Sequence, residues 1–423
     1  MLQKLRNIKL RRQHLLVLIP VILMLVFGVG YLLWTAIEDD DDPAASPAQS
    51  TGHTPEPTAV LEQTVVVWHP FPSTSSEAQA FDLIRQQFQD RYPNITLVFE
   101  AHPEADLLND YTTAVQNGAG PQVLLAPGAW VLTLAENGLI DGFSTELFDT
   151  ASDPDYVMDP AYQDNPVFLA EPIARAFTID NTPFALAYST EFATLYFNRT
   201  VVGSTPELEY FNDSDFLATM QDYSLFLTPT FTLLSGLYLA PGRSLDTLST
   251  DSVEAFLEDL DAFQDEPLDG IDVNNDVNTY QAYFREDRIL GFLLASSADY
   301  AGLKSALGDD LGILPLPRHS TAVRWQVLVP MEVAVLNLNN TLQEAGAAEV
   351  FVQFLLSADM QRVWFDETGR TPANVLGLES ELAQVWGETL EHSVAMPLGF
   401  ETTTLPQLDY AIRLCSRAKT RRL

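Results

Sequence analysis

Short apolar runs alternate with stretches of helical periodicity between Thr64 and Phe143. Val65-Val66-Val67-Trp68-His69-Pro70 is rich in β-branched residues and stopped by proline, the pattern of a strand buried on both faces. Thr74-Ser75-Ser76-Glu77 matches a capping box, and Phe81, Ile84 and Phe88 follow at helical spacing. Ile95 to Glu100 gives a second strand. A second helix, roughly Ala105 to Gln116, stops at Asn117-Gly118, a pair suited to a left-handed cap. Val123 to Ala126 supplies a third strand, and another helix stops at Asn137-Gly138. The order β-α-β-α-β-α predicts a largely parallel sheet.

Asp149 to about Thr182 is loop-like, with several Pro and Asp. The apolar pattern resumes from Phe184 to Asn198, in Ala185 to Tyr188 and Leu195 to Asn198. Residues 206–265 read as mostly helical with loops, and Ser252 to Phe263 forms a capped amphipathic helix with Val253, Phe256, Leu257 and Leu260 on one face. Ala347 to Leu356, then Met360, Val363 and Trp364, predict a pair of amphipathic helices. Asp272 to Asn278 carries oxygen ligands at odd positions, as a calcium loop does. It lacks glycine at the sixth position and has Tyr283 at the twelfth, so a turn leading to a helix cap around Asn278-Thr279 is expected and no metal site is assigned.

The N-terminus has a different character. Lys4, Arg6, Lys9, Arg11 and Arg12 precede an uncharged apolar run over 15–37, long enough to span a bilayer, and acidic residues follow at once. The charge order keeps 1–14 in the cytoplasm and sends the rest outward. The run is longer than a signal-peptide core and ends in Tyr31-Leu32-Leu33-Trp34, a poor cleavage context, so an uncleaved anchor is favoured over secretion after cleavage. Residues 38–60, acidic and then rich in Pro, Ala, Ser and Thr, predict an extended tether.

Charge sharpens the picture. The net charge is −36, yet residues 1–12 and 413–423 hold ten of the 22 Lys and Arg and none of the 58 Asp and Glu. So acidic a body repels phosphate backbones, which argues against a nucleic-acid partner. The single cysteine, Cys415, excludes a disulfide framework and a cysteine-based metal site. The basic end over 413–423 is read as a disordered tail.

With these elements in place, the chain resembles family 1 extracellular solute-binding proteins, the maltose-binding-protein-like receptors of ABC importers. The resemblance rests on the apolar strand with Trp68, the Phe-x-x-x-Tyr-Pro-Asn-Ile turn at Phe88 to Ile95, Gly118-x-Gly120-Pro121 and Glu136-Asn137-Gly138-Leu139-Ile140. It continues in Phe197-Asn198, the Phe284 helix leading to Ile289–Leu294, Leu314-Pro315-Leu316-Pro317, Phe354-Leu355-Leu356-Ser357 with Gln361, and Gly369-Arg370-Thr371-Pro372. It spans about residue 64 to 375. It implies a periplasmic-binding-protein-like α/β fold: lobe 1 from 61–186 and 327–372, lobe 2 from 187–326 and 373–412, joined by a multi-pass hinge. It further implies a monomer that closes on a small solute, most naturally a carbohydrate, and docks on an ABC permease at the outer face of the membrane.

The same resemblance places Glu191 where maltose-type members carry an acidic ligand contact, and a carboxylate suits sugar hydroxyls because it accepts two strong hydrogen bonds. Ser297 stands where those members carry tryptophan, with Tyr300 the nearest aromatic. Ligands in doubly wound sheets sit beyond the C-terminal strand ends, so Trp68 and His69, Trp130 after the third strand, and Tyr188 complete the candidate binding set. Neither a P-loop nor a His-Glu-x-x-His or Gly-x-Ser-x-Gly motif is present, and no cofactor is implied. A binding protein is therefore expected rather than an enzyme. A membrane-anchored sensor or scaffold of the same fold, or a glycoside hydrolase using cleft acids, are the other functions this pattern allows.

Overall fold

The first strand alternates. In β1 (Gln63–His69), Val65, Val67 and His69 are buried while Val66 and Trp68 are half-buried, so only one face is fully covered, not both as the apolar run predicted. A computed structural model describes residues 62–144, 166–206, 208, 219, 222–239, 244–245, 249–265, 271–273, 277–318, 325–398, 400 and 404–420. The expected anchor over 15–37 and the tether over 38–60 lie outside these residues. Among the described residues no helix is long and apolar enough to cross a membrane.

Helix α1 (Ser76–Arg91) is capped by Ser75, whose hydroxyl accepts from the Ala78 amide at 3.2 Å, one residue later than the expected box. Its buried stripe is Ala80, Phe81, Ile84 and Phe88. Strand β2 (Ile95–Ala101) and α2 (Glu104–Gln116) follow. Gly118, at φ +72°, turns the chain toward β3 (Val123–Pro127), in the left-handed region where a side chain is strained. A short helix, α3 (Val131–Glu136), leads to β4 (Ile140–Asp141). After the following stretch the chain adds β5 (Leu186–Thr190) and crosses at Glu191-Phe192 into β6 (Ala193–Asn198).

The second sheet takes β7 (Leu225–Leu227), β8 (Ile271–Val273), β9 (Phe292–Ser296) and β10 (Leu311–Leu314). Two of these, β7 and β8, were not visible in the sequence: each has three residues, too few for a period to show. Between them run α4 (Phe231–Leu239), α5 (Thr250–Asp265), α6 (Val277–Arg285) and α7 (Tyr300–Leu307). Strand β8 takes Ile271–Val273 and α6 begins at Val277, so strand and helix bracket the stretch that resembled a calcium loop; residues 274–276 lie outside the described set. Strand β11 (Met331–Asn337) returns to the first sheet, followed by α8 (Leu342–Leu355), α9 (Ala358–Thr368), α10 (Ser380–Glu391) and α11 (Leu405–Thr420).

The first sheet has the order β2-β1-β3-β11-β4, with β5 also on β11. Strands β1, β2 and β3 are parallel, and β11 runs antiparallel between β3 and its other neighbours. The largely parallel sheet expected from the pattern is thus split by one late strand. The second sheet is β8-β7-β9-β6-β10, parallel from β8 to β9 and antiparallel on both sides of β6. The basic end is not a free tail as far as Thr420. Helix α11 packs on α4 and α5, buries Leu408 and Ile412, and accepts the Phe231 amide on Asp409 at 2.7 Å. Once its first turns are held this way, each further residue adds a backbone bond at little cost, which carries the helix through the basic residues.

One glycine in the second sheet is fixed by contact. A Cβ on Gly312 in β10 would lie 2.1 Å from the ring of Phe197, its register partner on β6. Gly312→Ala should therefore destabilise the protein by about 1–3 kcal/mol, read as a lower urea midpoint. An unchanged midpoint would mean that the fully buried Phe197 ring can move.

Candidate functional site

The chain passes between the two sheets at Glu191-Phe192 and again from β10 to β11, and these passages and the Gly369–Pro372 turn after α9 hydrogen-bond to one another. Glu191 N donates to the Pro330 carbonyl at 3.1 Å, and Thr190 N to the Thr371 carbonyl at 2.9 Å. Ser297 ties them further: its hydroxyl accepts from Phe192 N at 3.2 Å and from the Thr371 hydroxyl at 2.7 Å. Thr190, Ser297 and Thr371 are buried. Short loop passages of this kind are where hinge motion concentrates.

A cavity of about 200 Å³ opens at this seam. It lies beyond the C-terminal ends of β3 and β5 and next to the end of β9, the position where open α/β sheets hold ligands. Pro127, Met331, Glu332 and Arg370 form the wall on the first-sheet side. Glu191 and Ala298 form the opposite wall, with Ser189, Thr190 and Thr371 between them. Among the described residues no aromatic side chain lines it.

The first wall is an ion network. Arg370 donates through Nε to Glu77 at 2.7 Å and through Nη1 to Glu332 at 2.8 Å, and its guanidinium lies 5.0 Å from the centre of the Phe71 ring. Burial works against the Glu77 charge, but hydrogen bonds from its own backbone amide, Arg370 and Ser75 prevail and hold its carboxyl below the usual range. Burial prevails at Glu332 and raises its carboxyl, with Arg370 opposing. The second oxygen of Glu332 is buried, and the Tyr188 hydroxyl also donates to this carboxylate. On the other wall Glu191 Oε1 accepts from the Ser296 hydroxyl at 2.7 Å, and the Glu191 carboxylate makes no ion pair among the described residues. Asp299, which accepts from Ser296 N at 3.2 Å, has its carboxyl raised first by burial and then by the charge of Glu191.

Of the six residues singled out from the sequence, Glu191 lines the cavity. Tyr188 lies beneath it, fully buried against Trp364 at 5.4 Å; burial, then the nearby Glu332 charge, push its hydroxyl well above the usual range. Trp68 stacks on His102 at 4.0 Å and donates to Glu100 at 2.7 Å, away from the cavity. His69 is buried among Phe71, Phe81 and Phe99. Trp130 is half-buried in the turn after β3, and Tyr300 packs on Phe365 and Trp386. The strand-end rule finds the rim of a sheet but not which way a side chain turns there. Glu332 and Arg370 were missed. Glu332 had a signal, a lone acid inside the apolar run Val327–Leu336; Arg370 stood in the Gly369–Pro372 turn without a reason to face inward.

His69 carries a pH prediction. Burial, then the neighbouring His102 charge, lower its pKa from 6.5 to about 4. Below 6.5 the unfolded chain takes up a proton that the fold refuses until about 4, so stability falls as pH drops through that interval. The loss reaches up to about 3 kcal/mol. His69→Asn, whose amide oxygen can still accept from Phe71 N, should flatten this part of the stability–pH curve. Equal slopes for the two proteins in urea titrations would refute it.

Residues 84–376 match the family model described as bacterial extracellular solute-binding protein. The chain belongs to that family. No curated protein sequence matches this solute-binding protein. Among solved structures, the sugar-binding protein MalE from the phytopathogen Xanthomonas citri superposes with a TM-score of 0.66 at 14% identity, covering 84% of this chain and 92% of that one. The extracellular solute-binding protein of Staphylococcus aureus, in complex with maltose, gives 0.65 at 14%, covering 84% and 93%. The GacH receptor of Streptomyces glaucescens, solved unliganded and with acarbose, gives 0.58 at 14%, covering 85% and 94%. These likenesses establish the periplasmic-binding-protein-like α/β fold. Family membership makes this an extracytoplasmic binding protein.

Proposed function

We propose that the protein captures a small carbohydrate between its two sheets by hinge closure and delivers it to an ABC importer. The observation that carries this reading is the cavity at the seam between the sheets, with one charged wall tied to each sheet. A ligand touching Glu191 on one side and Arg370 or Glu332 on the other gains contacts only when the walls approach. Such differential affinity is what a ligand needs to shift an open–closed equilibrium. The related structures hold maltose in one case and acarbose in another, which supports the carbohydrate class. Docking of the closed form on a permease, and retention at the membrane through the apolar stretch over 15–37, complete the proposal.

The test is a thermal-shift screen of the purified chain against maltose, maltotriose, acarbose, polyols and peptides. A ligand at a hundredfold its dissociation constant adds about 2.7 kcal/mol of stability. Glu191→Ala should abolish that gain. An undiminished shift in the variant would remove Glu191 from the site, and saturable binding of peptides alone would replace the ligand class.

A further inference from the structure

The charges around the cavity do not balance, and the imbalance has a direction. Arg370 is the only cation among the described lining residues, and Glu77 and Glu332 already share it. On the opposite wall Glu191 makes no ion pair among the described residues, and Asp299, outside the lining, is close enough for the two carboxylates to repel. Arg285 attracts Asp299 but makes no ion pair with it. On the first wall the Glu332 carboxylate is already taken up by Arg370 and the Tyr188 hydroxyl. The uncompensated charge of the lining is thus on the Glu191 side, while the apolar ring platform on which an uncharged sugar would stack is absent from the described lining.

We propose that the solute carries an ammonium group, as an amino sugar does, and that this group sits against Glu191. The inference rests on the cavity being the solute site and names the chemistry of its occupant. An ammonium brings three N–H donors and a positive charge, whereas a hydroxyl brings one donor and none. It compensates Glu191 and relieves the repulsion from Asp299 in one contact. At about 200 Å³ the cavity suits a small molecule, below the usual span of roughly 300–1,000 Å³ for ligand pockets.

Isothermal titration of the full chain, at a pH where the amine is protonated, compares glucosamine with glucose and N-acetylglucosamine, with putrescine as a cation that is not a sugar. Glucosamine is expected to bind at least about tenfold tighter than the two neutral sugars, and the ratio should shrink as salt rises. Glu191→Gln keeps an acceptor for the Ser296 hydroxyl and removes the charge, so it should collapse that ratio by weakening glucosamine far more than the neutral sugars. Asp299→Asn should reduce the ratio less. A ratio near one, or one that survives Glu191→Gln, overturns the inference. If neutral sugars bind and amines do not, the receptor reading stands and the ammonium assignment falls. If putrescine binds and no sugar does, the ammonium seat stands and the carbohydrate class falls.

Discussion

Trp364→Ala is expected to lower the unfolding free energy by about 3–5 kcal/mol, the range for deleting a fully buried aromatic side chain. Trp364 sits on α9 with no solvent exposure, where three parts of the chain meet. Its ring stacks on Phe81 of α1 at 5.2 Å, lies 6.0 Å from Phe71 after β1, and meets Tyr188 of β5 edge-on at 5.4 Å. Among the described residues the indole nitrogen has no hydrogen-bond partner, so the side chain acts through volume and ring contacts. Trp364→Phe should therefore cost much less than Trp364→Ala, because it keeps a ring and forfeits no hydrogen bond. Equilibrium urea unfolding followed by circular dichroism separates the two. Equal losses would mean that the site cannot close around a smaller ring, and no loss in Trp364→Ala would mean that this junction does not limit stability.

The second large effect belongs to Arg370→Ala. The substitution leaves Glu77 and Glu332 facing each other without their shared guanidinium, and like carboxylates in a partly dry site repel. Removing one partner of a fully buried pair costs about 3–5 kcal/mol. Here the Arg370 side chain is 38% exposed and Glu332 26%, so solvent screening reduces the expectation to about 1–3 kcal/mol at neutral pH. The effect should depend on pH, with a definite sign. Glu77 is held below the usual carboxylate range, so what it contributes is present above its unfolded pKa and is lost as pH falls through the folded one. Glu332 is raised, so its charge opposes folding at neutral pH and protonation removes that opposition. Without Arg370 both carboxyls rise, and both gain from acid. The difference between wild type and Arg370→Ala should thus be largest near pH 7 and shrink by about pH 4.5, close to the unperturbed carboxylate range. A difference that is constant across this interval would show that the loss comes from the contact with Phe71 and not from charge.

Loss of Arg370 also tests the ligand site independently of stability. If the cavity takes a cationic group, removing Arg370, the only cation among its described lining residues, should strengthen cation binding in whatever fraction remains folded. If the guanidinium itself holds sugar hydroxyls, binding should weaken. The sign of the affinity change distinguishes these, and the thermal midpoint does not enter.

How much was legible beforehand differs from element to element. Helix α1 was readable on most of its buried face, since Phe81, Ile84 and Phe88 repeat with the helical period, while its cap fell on Ser75, one residue after the expected Thr74. The turns at Gly118 and Gly138 were readable because their positive φ is tolerated by few residues. Strands β7 and β8, of three residues each, were not readable, because their identity comes from pairing, β8 with β7 and β7 with β9, and not from their own pattern. At the candidate site, the family resemblance pointed to Glu191 as an acidic ligand contact, and the cavity lining includes it. It was not legible at Trp68, His69 and Tyr300, because a large aromatic side chain can face a cleft or a core with the same local pattern.

By itself the sequence determined the alternation of strands and helices, the family, and the acidic character of the body, because each follows from local periodicity, short motifs or a simple count. Only the tertiary structure decided that β11 would split the first sheet, that Tyr188 would lie under the cavity while Glu191 opens into it, and that Arg370 would be shared by Glu77 and Glu332. Those outcomes join residues up to 293 positions apart. Such contacts are chosen by which faces must be buried together and which charges can find a partner, and no window along the chain contains both members of the choice.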